Sequence, residues 1–580
     1  MSITRCLPSR ARRRRSRAGS TRVAGLALAA LCAVLFGFGG LAWRFFAAPV
    51  RAADAVVAYL IPADVDAVAL LSLSPTTAEQ AVTFQKIGHA LRREDLEARL
   101  ERLWQRADAV RVGPFAGRLG EEVRREFAGS FAVVSVPDRS VWPSVCRTAF
   151  LARLKNHRAV SRRLREGAVA SREVAGVTVW EFGDGVFAAV VRETLVVATE
   201  PDGIRPFAET STRQRRALAR NADFRQARAA LPRGANLTVF LSEDGIRNAY
   251  QPQQHGPLVP PLKGVRWVAA AATIRTGGVA VEWRAPWTGA STTGAAPSLA
   301  AIPPLSRSAL GRLPTGAVAA AAVSQPSRYG EFTRDLLRAE IGPSGFEDAL
   351  GRLERETGLS LDGDVLPGFR GNTVLALYPD RAREGADALL VVDDARGADP
   401  AKLAAAVRRL AERSDANLRF DREERRGGIT VWTPYRADEA FTDAAVGTGP
   451  ARNKEVLSAT VGKTVIAATS PVLLDRAVAA AAHGEDTSDD ALASQVPEGA
   501  QWAAIIHPGR AADLLGVLLS SHHATDTAVR PADVLRLFGA EGNRALVASV
   551  RCDGTMVCGS LFLPVDYEAG ITLLGRALPE

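Results

Sequence analysis

Six short segments between Ile61 and Trp283 recur in the same order between Leu313 and Phe562. Ile61-Pro62-Ala63-Asp64, which opens an apolar run, answers to Leu313-Pro314-Thr315-Gly316. Phe127-Ala128-Gly129-Ser130-Phe131, with Val136-Pro137-Asp138-Arg139 behind it, returns as Phe369-Arg370-Gly371-Asn372-Thr373 with Tyr378-Pro379-Asp380-Arg381. Gly176-Val177-Thr178-Val179-Trp180 returns as Gly428-Ile429-Thr430-Val431-Trp432. Thr194-Leu195-Val196-Val197-Ala198-Thr199 returns as Thr464-Val465-Ile466-Ala467-Ala468-Thr469, each with a proline two residues on. Leu231-Pro232-Arg233-Gly234-Ala235 matches Val496-Pro497-Glu498-Gly499-Ala500, and Thr273-Ile274-Arg275-Thr276 matches Ser549-Val550-Arg551-Cys552. One match is chance in a chain rich in Ala and Val, but six in order are the mark of a duplicated structural unit.

The formal charge of +10 suggests a polyanion-binding protein until it is located. Residues 1–51 carry Arg5, Arg10, Arg12, Arg13, Arg14, Arg15, Arg17, Arg22, Arg44 and Arg51 and no acid, so they hold the whole excess. Acids and bases cancel over the remainder, which leaves no net field to steer a nucleic acid.

The uncharged stretch that starts at Val23 and ends at Trp43 is rich in Ala, Leu, Gly and Phe. Its length suits a helix crossing a hydrocarbon core of ~30 Å, and this predicts a lipid-bilayer partner over residues 23–43. The arginine cluster before it places residues 1–22 in the cytoplasm and everything after the span outside, by the positive-inside rule. A cleaved signal peptide is the competing reading, with Val50-Arg51-Ala52 as the cleavage site. An apolar run of this length exceeds the usual ~7 to 15 residues of a signal, which favours the anchor.

Of five cysteines, Cys6 and Cys32 fall in the leader and the span, leaving Cys146, Cys552 and Cys558 for an oxidising compartment. A two-residue turn at Asp553-Gly554 pairs Cys552 with Thr555 and Cys558 with Ser549, and puts the two cysteines on opposite faces of a sheet. A disulfide between them is therefore not expected.

Each copy opens with an apolar strand and continues into a long helical stretch, residues 77–107 and then 328–357, with leucines at helical spacing among charges. Strands are expected over 131–136, 146–154, 174–180, 186–191 and 195–198, with helices at 156–166 and 400–413 between them. Tight turns at Gly183-Asp184-Gly185, Arg192-Glu193 and Gly277-Gly278 favour antiparallel neighbours. The expected fold class is α+β: a transmembrane helix, then two tandem copies of a mostly antiparallel sheet with packed helices. The expected divisions are a leader (1–22), the span (23–43), repeat 1 (56–283), a linker (284–311), repeat 2 (312–566) and a C-terminal tail (567–580).

The stretch from Glu356 through Leu361-Asp362-Gly363-Asp364-Val365-Leu366-Pro367-Gly368-Phe369, together with the proline box that opens each copy, resembles a family of bacterial membrane-anchored or secreted proteins known as a domain of unknown function. The resemblance runs from about Ile61 to the C-terminus. In the first copy the Asp-Gly-Asp segment is reduced to Gly113-Pro114-Phe115-Ala116-Gly117-Arg118-Leu119-Gly120. The resemblance implies fold and location and carries no activity.

Several apparent motifs have plainer explanations. Gly462-Lys463-Thr464 has the tail of a phosphate loop, but Leu457 stands where that motif needs its first glycine, and Arg192-Glu193-Thr194 fills the same place in the other copy. Both are read as hairpin turns. Asp362-Gly363-Asp364 starts like a calcium loop, yet the twelfth position is Thr373 rather than glutamate, so a helix-to-strand turn is expected. His522-His523 near Asp526, with His507 upstream, is the one histidine cluster, and adjacent histidines on a helix diverge by about 100°. Glu423-Glu424 and Asp489-Asp490 read as solvated carboxylates, and Trp180 and Trp432 as packing residues, with ligand stacking as the alternative.

No catalytic, cofactor or metal residues are therefore assigned. The expected function is that of a single-pass inner-membrane protein whose extracytoplasmic repeats bind an envelope component, a lipid, glycan or partner protein, in the groove between them. A structural scaffold of the envelope without a small ligand is the alternative, and an envelope hydrolase assembled from distant residues the third.

Overall fold

The computed structural model describes residues 57–93, 125–138, 145–182, 185–249, 264–287, 299–311, 313–357, 360–380, 385–393, 418–425, 429–436, 457–483, 494–511 and 544–577. Residues 23–43, the helix expected at 400–413, His522, His523, Asp526, Asp489 and Asp490 lie outside them. Among the described residues no helix is long and apolar enough to cross a membrane.

The architecture is α+β, built on one antiparallel sheet. Its first ten strands are β1 (Ala67–Ser72), β2 (Phe127–Asp138), β3 (Val145–Leu154), β4 (Ala170–Val174), β5 (Val177–Phe182), β6 (Val186–Val191), β7 (Thr194–Ala198), β8 (Leu237–Ser242), β9 (Trp267–Arg275) and β10 (Gly278–Pro286). The next ten are β11 (Ala319–Ser324), β12 (Asn372–Asp380), β13 (Gly385–Val392), β14 (Leu418–Arg425), β15 (Ile429–Arg436), β16 (Leu457–Val461), β17 (Thr464–Ala468), β18 (Trp502–Ile506), β19 (Leu546–Asp553) and β20 (Met556–Pro564). Helices are α1 (Ala78–Arg93), α2 (His157–Gly167), α3 (Arg205–Ser211), α4 (Ala222–Ala230), α5 (Glu243–Ala249), α6 (Arg307–Gly311), α7 (Pro326–Ile341), α8 (Pro343–Thr357), α9 (Pro471–His483) and α10 (Tyr567–Ala577).

Strand order in the first half is β4-β5-β6-β7-β3-β2-β1-β8-β9-β10. In the second half it is β14-β15-β16-β17-β13-β12-β11-β18-β19-β20, the same pairings in the same sequence. Registers agree as well: Trp180 lies opposite Ala188 and Trp432 opposite Ser458. The halves join where β10 pairs antiparallel with β20, from Gly278 opposite Pro564 to Pro286 opposite Met556. The two ends of this seam close reciprocally, Val565 N donating to Gly277 O (3.1 Å) and Trp287 N to Thr555 O (2.7 Å).

The alternation of side chains along these strands builds two main cores. Val68 and Leu70 of β1 point into the first with Phe240, Trp267 and Phe224, while Ala320 and Ala322 of β11 point into the second with Leu474, Ile466 and Val547. On the opposite face of β9, β10 and β20, a smaller cluster is covered by Phe84, Ile87 and Leu91 of α1 and by Ile571 of α10. The start of α1 is fastened by Thr77 Oγ1, which accepts from Gln80 N (3.2 Å), while Gln80 Oε1 accepts from Thr76 N (2.7 Å).

Equivalent buried amides close the ends of β8 and β18. Asn236 Oδ1 accepts from Ile274 N (2.9 Å), and Gln501 Oε1 accepts from Cys552 N (2.9 Å). Each then ties down a different partner. Gln80 of α1 donates to Asn236 Oδ1 (3.2 Å), whereas Gln501 Nε2 donates to the carbonyls of Leu299 (3.1 Å) and Ile302 (2.7 Å). These contacts pin residues 299–302, within the stretch expected as a linker, and β10 itself runs into that stretch as far as Pro286. The tail begins with α10, whose Tyr567 Oη donates to Gly278 O (2.7 Å).

Several boundaries differ from those expected. The strand expected at 174–180 is two strands, because Ala175 and Gly176 adopt φ of 50° and 76° and turn β4 into β5. The helical stretch at 328–357 is broken into α7 and α8 at Gly342, φ 80°, followed by Pro343. The last sequence box is displaced. Asn236 N donates to Ala272 O and Gln501 N to Val550 O, so Ala272 corresponds to Val550, where the sequence comparison sets Ile274.

The β19–β20 turn is Gly554-Thr555, so Cys552 lies opposite Val557 and Cys558 opposite Arg551, each partner two residues from the expected Thr555 and Ser549. Both thiols are free and they fall on opposite faces. Burial, and then the neighbouring Cys558, push the Cys552 thiol up to about 11, and burial pushes Tyr329 up to about 12. A thiol with a raised folded pKa holds its proton longer than the unfolded chain does, so its contribution is complete below the ordinary value of 9.0 and is lost as the pH climbs to about 11. Stability is therefore expected to fall across that window, with a shallower fall in Cys552→Ser, as read by urea midpoints at pH 8, 9, 10 and 11.

The seam sets a second expectation. A Cβ on Gly559 would lie 1.9 Å from Trp283 Nε1, the residue directly opposite it on β10. Gly559→Val is expected to destabilise the chain by about 3 kcal/mol through overpacking. Gly554→Ala, at a turn with φ 59° and open space around it, is expected to cost only about 1 kcal/mol. Denaturant midpoints of the two variants check the order.

Candidate functional site

The site is a groove of about 460 Å³ on the seam. Its floor is built by alternation: Ala280 and Glu282 of β10 and Ser560 and Phe562 of β20 point to the face opposite α1 and α10. Ala280 lies opposite Phe562, and Glu282 opposite Ser560. One wall comes from Ala545, just before β19, from Val547 of β19, and from Pro497 in the turn before β18. Arg275, at the end of β9, and Arg544, just before β19, supply two guanidinium groups at the rim.

Each polar group has a defined setting. Glu282 is paired with Arg284 at 2.8 Å, with the arginine side chain 15% exposed. The Ser549 and Ser560 hydroxyls are 2.7 Å apart, an apposition set by their register across β19 and β20. Arg544 lies over the β9–β10 turn, where its Nη1 donates to Thr276 O (2.9 Å). Gly277 admits it: a Cβ there would lie 2.5 Å from that nitrogen, and its φ of 78° suits glycine.

Chemically this is an apolar floor with two cations on the rim. Glu282 is neutralised by Arg284, and Ser560 faces a second hydroxyl rather than a base. The described lining holds no histidine, lysine or cysteine, so no activated nucleophile or general base is assembled on it. The groove suits binding.

The residues singled out in the sequence lie elsewhere. Gly462 takes φ 58° between β16 and β17, as Arg192 takes φ 57° between β6 and β7, so both segments are hairpin turns. Asp362 sits in a short helical turn, Leu361–Val365, and pairs with Arg334 of α7 at 2.7 Å. His507 is buried just after β18. Glu423 and Glu424 are exposed on β14, Glu423 pairing with Arg425 at 3.3 Å. Trp180 packs with Leu154, Val160 and Leu164 beneath α2, a core position, and Trp432 holds the matching place on β15. Among the described residues no group of three or more potential ligands gathers as a metal site.

The site residues escaped the sequence reading for a local reason. Arg275 belongs to a repeated box that opens a glycine-containing hairpin, and Arg544 and Phe562 stand outside any motif. Their convergence depends on β10 meeting β20, a pairing between strands almost three hundred residues apart in the chain.

Among solved structures, crystal forms I, III and IV of TP0453 match at 9% identity. Form I covers 43% of this chain and 82% of its own at a TM-score of 0.25, form III 40% and 80% at 0.24, and form IV 39% and 79% at 0.24. At these scores the likeness carries no argument about the site. No curated protein matches the chain by sequence. The family profile of a protein of unknown function, DUF3352, matches residues 148–497, from within β3 across β10 to the turn before β18; the chain belongs to that family.

Proposed function

We propose that this is a single-pass membrane-anchored protein, exposed outside the cytoplasm, whose two tandem copies of one fold bind an envelope component in the groove between them. The observation that carries the reading is the groove itself, an apolar concavity on the joint of the halves with two arginines at its rim. Clefts between domains are preferred ligand sites, and about 460 Å³ lies within the range for small-molecule pockets.

Duplication is supported by the pairing of β11 to β20, which follows that of β1 to β10 strand for strand. It is supported again by the reciprocal hydrogen bonds at the ends of the seam, the pattern of an interface between two like units, in which i meets j and j meets i. Anchoring rests on the sequence alone, through the uncharged residues 23–43 behind their arginines.

Two outcomes are expected. The full chain stays with the membrane fraction through alkaline extraction, and removal of residues 1–51 releases it; release of the intact chain by the same wash would end the anchor reading. Purified chain incubated with an envelope extract retains a defined mass in native mass spectrometry, and Ala280→Trp, which fills the groove floor, abolishes it. Retention unchanged by Ala280→Trp would place binding elsewhere.

A further inference from the structure

The groove lies at one end of a seam whose other end, by strand register, holds a corresponding place. Trp267 lies opposite Ser242 as Ala545 lies one step beyond the Ile506–Leu546 pair, so Trp267 of the first half stands where Ala545 stands in the second. In the same way Arg284 lies beside Ala269 as Phe562 lies beside Val547. The corresponding end is filled. Trp267 is fully buried in the first core, and Arg284 is folded down with its Nη1 on Trp283 O (2.9 Å) and its Nη2 on Glu282 (2.8 Å). The small Ala545 at the open end leaves the space that Trp267 occupies at the closed one.

Charge divides the same way. At the open end Arg275 and Arg544 share the rim, and the one carboxylate in the lining, Glu282, is held by Arg284. At the closed end Arg266, which precedes β9 as Arg544 precedes β19, is held in an ion pair with Asp223. Asp553 stands where Arg275 stands, each opposite the first residue of the following strand. A guanidinium carries five donors, and Arg544 is seen to commit one to Thr276, which leaves donors for an anion beside an apolar floor.

We propose that the groove takes one anionic amphiphile per chain, its charged head between Arg275 and Arg544 and its apolar body over Ala280, Val547 and Phe562. This rests on the groove reading above and names its ligand class. One molecule per chain follows from the closed end, and an anionic head from Arg275 and Arg544, which pair with no carboxylate among the described residues. The apolar body follows from Ala280, Val547 and Phe562, beside which the two polar groups of the floor are already engaged, Glu282 with Arg284 and Ser560 with Ser549.

The test uses the purified full chain and four probes below their micellar concentrations: oleate, a lysophosphatidylglycerol, a neutral monoacylglycerol of equal chain length, and inorganic phosphate. Calorimetric titration is expected to give one site per chain for the two anionic amphiphiles, at least tenfold weaker binding of the neutral one, and weaker binding still of phosphate alone. Arg275→Glu is expected to weaken the anionic probes about tenfold or more while leaving the neutral one within twofold. Ala280→Trp is expected to abolish binding, and Ala280→Leu, which disturbs the fold less, to weaken all three amphiphiles.

Two sites per chain, equal affinity for neutral and anionic probes, phosphate binding as tightly as the amphiphiles, or no binding at all would each overturn the proposal. If the amphiphiles fail while an envelope extract still yields a retained mass lost in Ala280→Trp, the ligand class is wrong and the groove reading stands. Should the extract yield nothing either, both fall.

Discussion

Everything in this molecule hangs on the ladder between β10 and β20. An edge strand presents unpaired N–H and C=O groups that invite pairing with another chain. Each half would expose β10 or β20 as its inner edge, besides its outer edge β4 or β14, and the two inner edges satisfy each other along their full length. The close approach is permitted by Gly559, over which the Trp283 indole lies, and by Gly278, where a Cβ would meet Leu563 O at 2.4 Å. Helices α1 and α10 then cover one face of the joint, bringing the start of the described chain and its end onto the same cluster. Among the described residues the other face keeps its floor open.

That division of faces explains why the groove lies where it does. Each half buries its own core on the groove side of the sheet, beneath its own helices and turns, and the two coverings stop on either side of the seam. Between them β10 and β20 present Ala280, Glu282, Ser560 and Phe562, and no helix among the described residues crosses them. The halves differ in what their matching positions hold. Trp267 against Ala545 is an exchange of volume that closes one end and leaves the other concave, and Arg284 against Phe562 exchanges a charged group that holds Glu282 for an apolar ring.

Legibility from sequence followed the turns. The proline and glycine boxes mark strand ends and tight turns, where few residue types are tolerated, so they survive in both halves and locate the strands between them. Five boxes keep the register that the strand pairings give, for instance Trp180 and Trp432 on β5 and β15. The sixth slipped by two residues because Ala269 to Ala272 offer no distinctive side chain to fix the alignment. Asn236 and Gln501 went unnoticed although each follows a box directly, since Asn and Gln differ in length and read as unrelated. Their role shows only when the ladder places Ile274 N and Cys552 N within reach. The strand expected at 174–180 divides for a related reason: Ala175 at positive φ carries no sequence signal, and a single glycine at 176 does not by itself mark a turn within an apolar run.

The sequence by itself determined the α+β class, the antiparallel pairing, the positions of most turns and the family to which the chain belongs, because these depend on local alternation, on glycine and proline, and on short segments repeated in order. Only the tertiary structure decided which edge strands meet, which face of the joint stays open, and that Arg275 and Arg544 share a rim over Phe562. Those facts arise between residues far apart in the chain, and pairing of edge strands is set by backbone hydrogen bonds that every residue but proline can make, so it leaves almost no trace in side-chain identity.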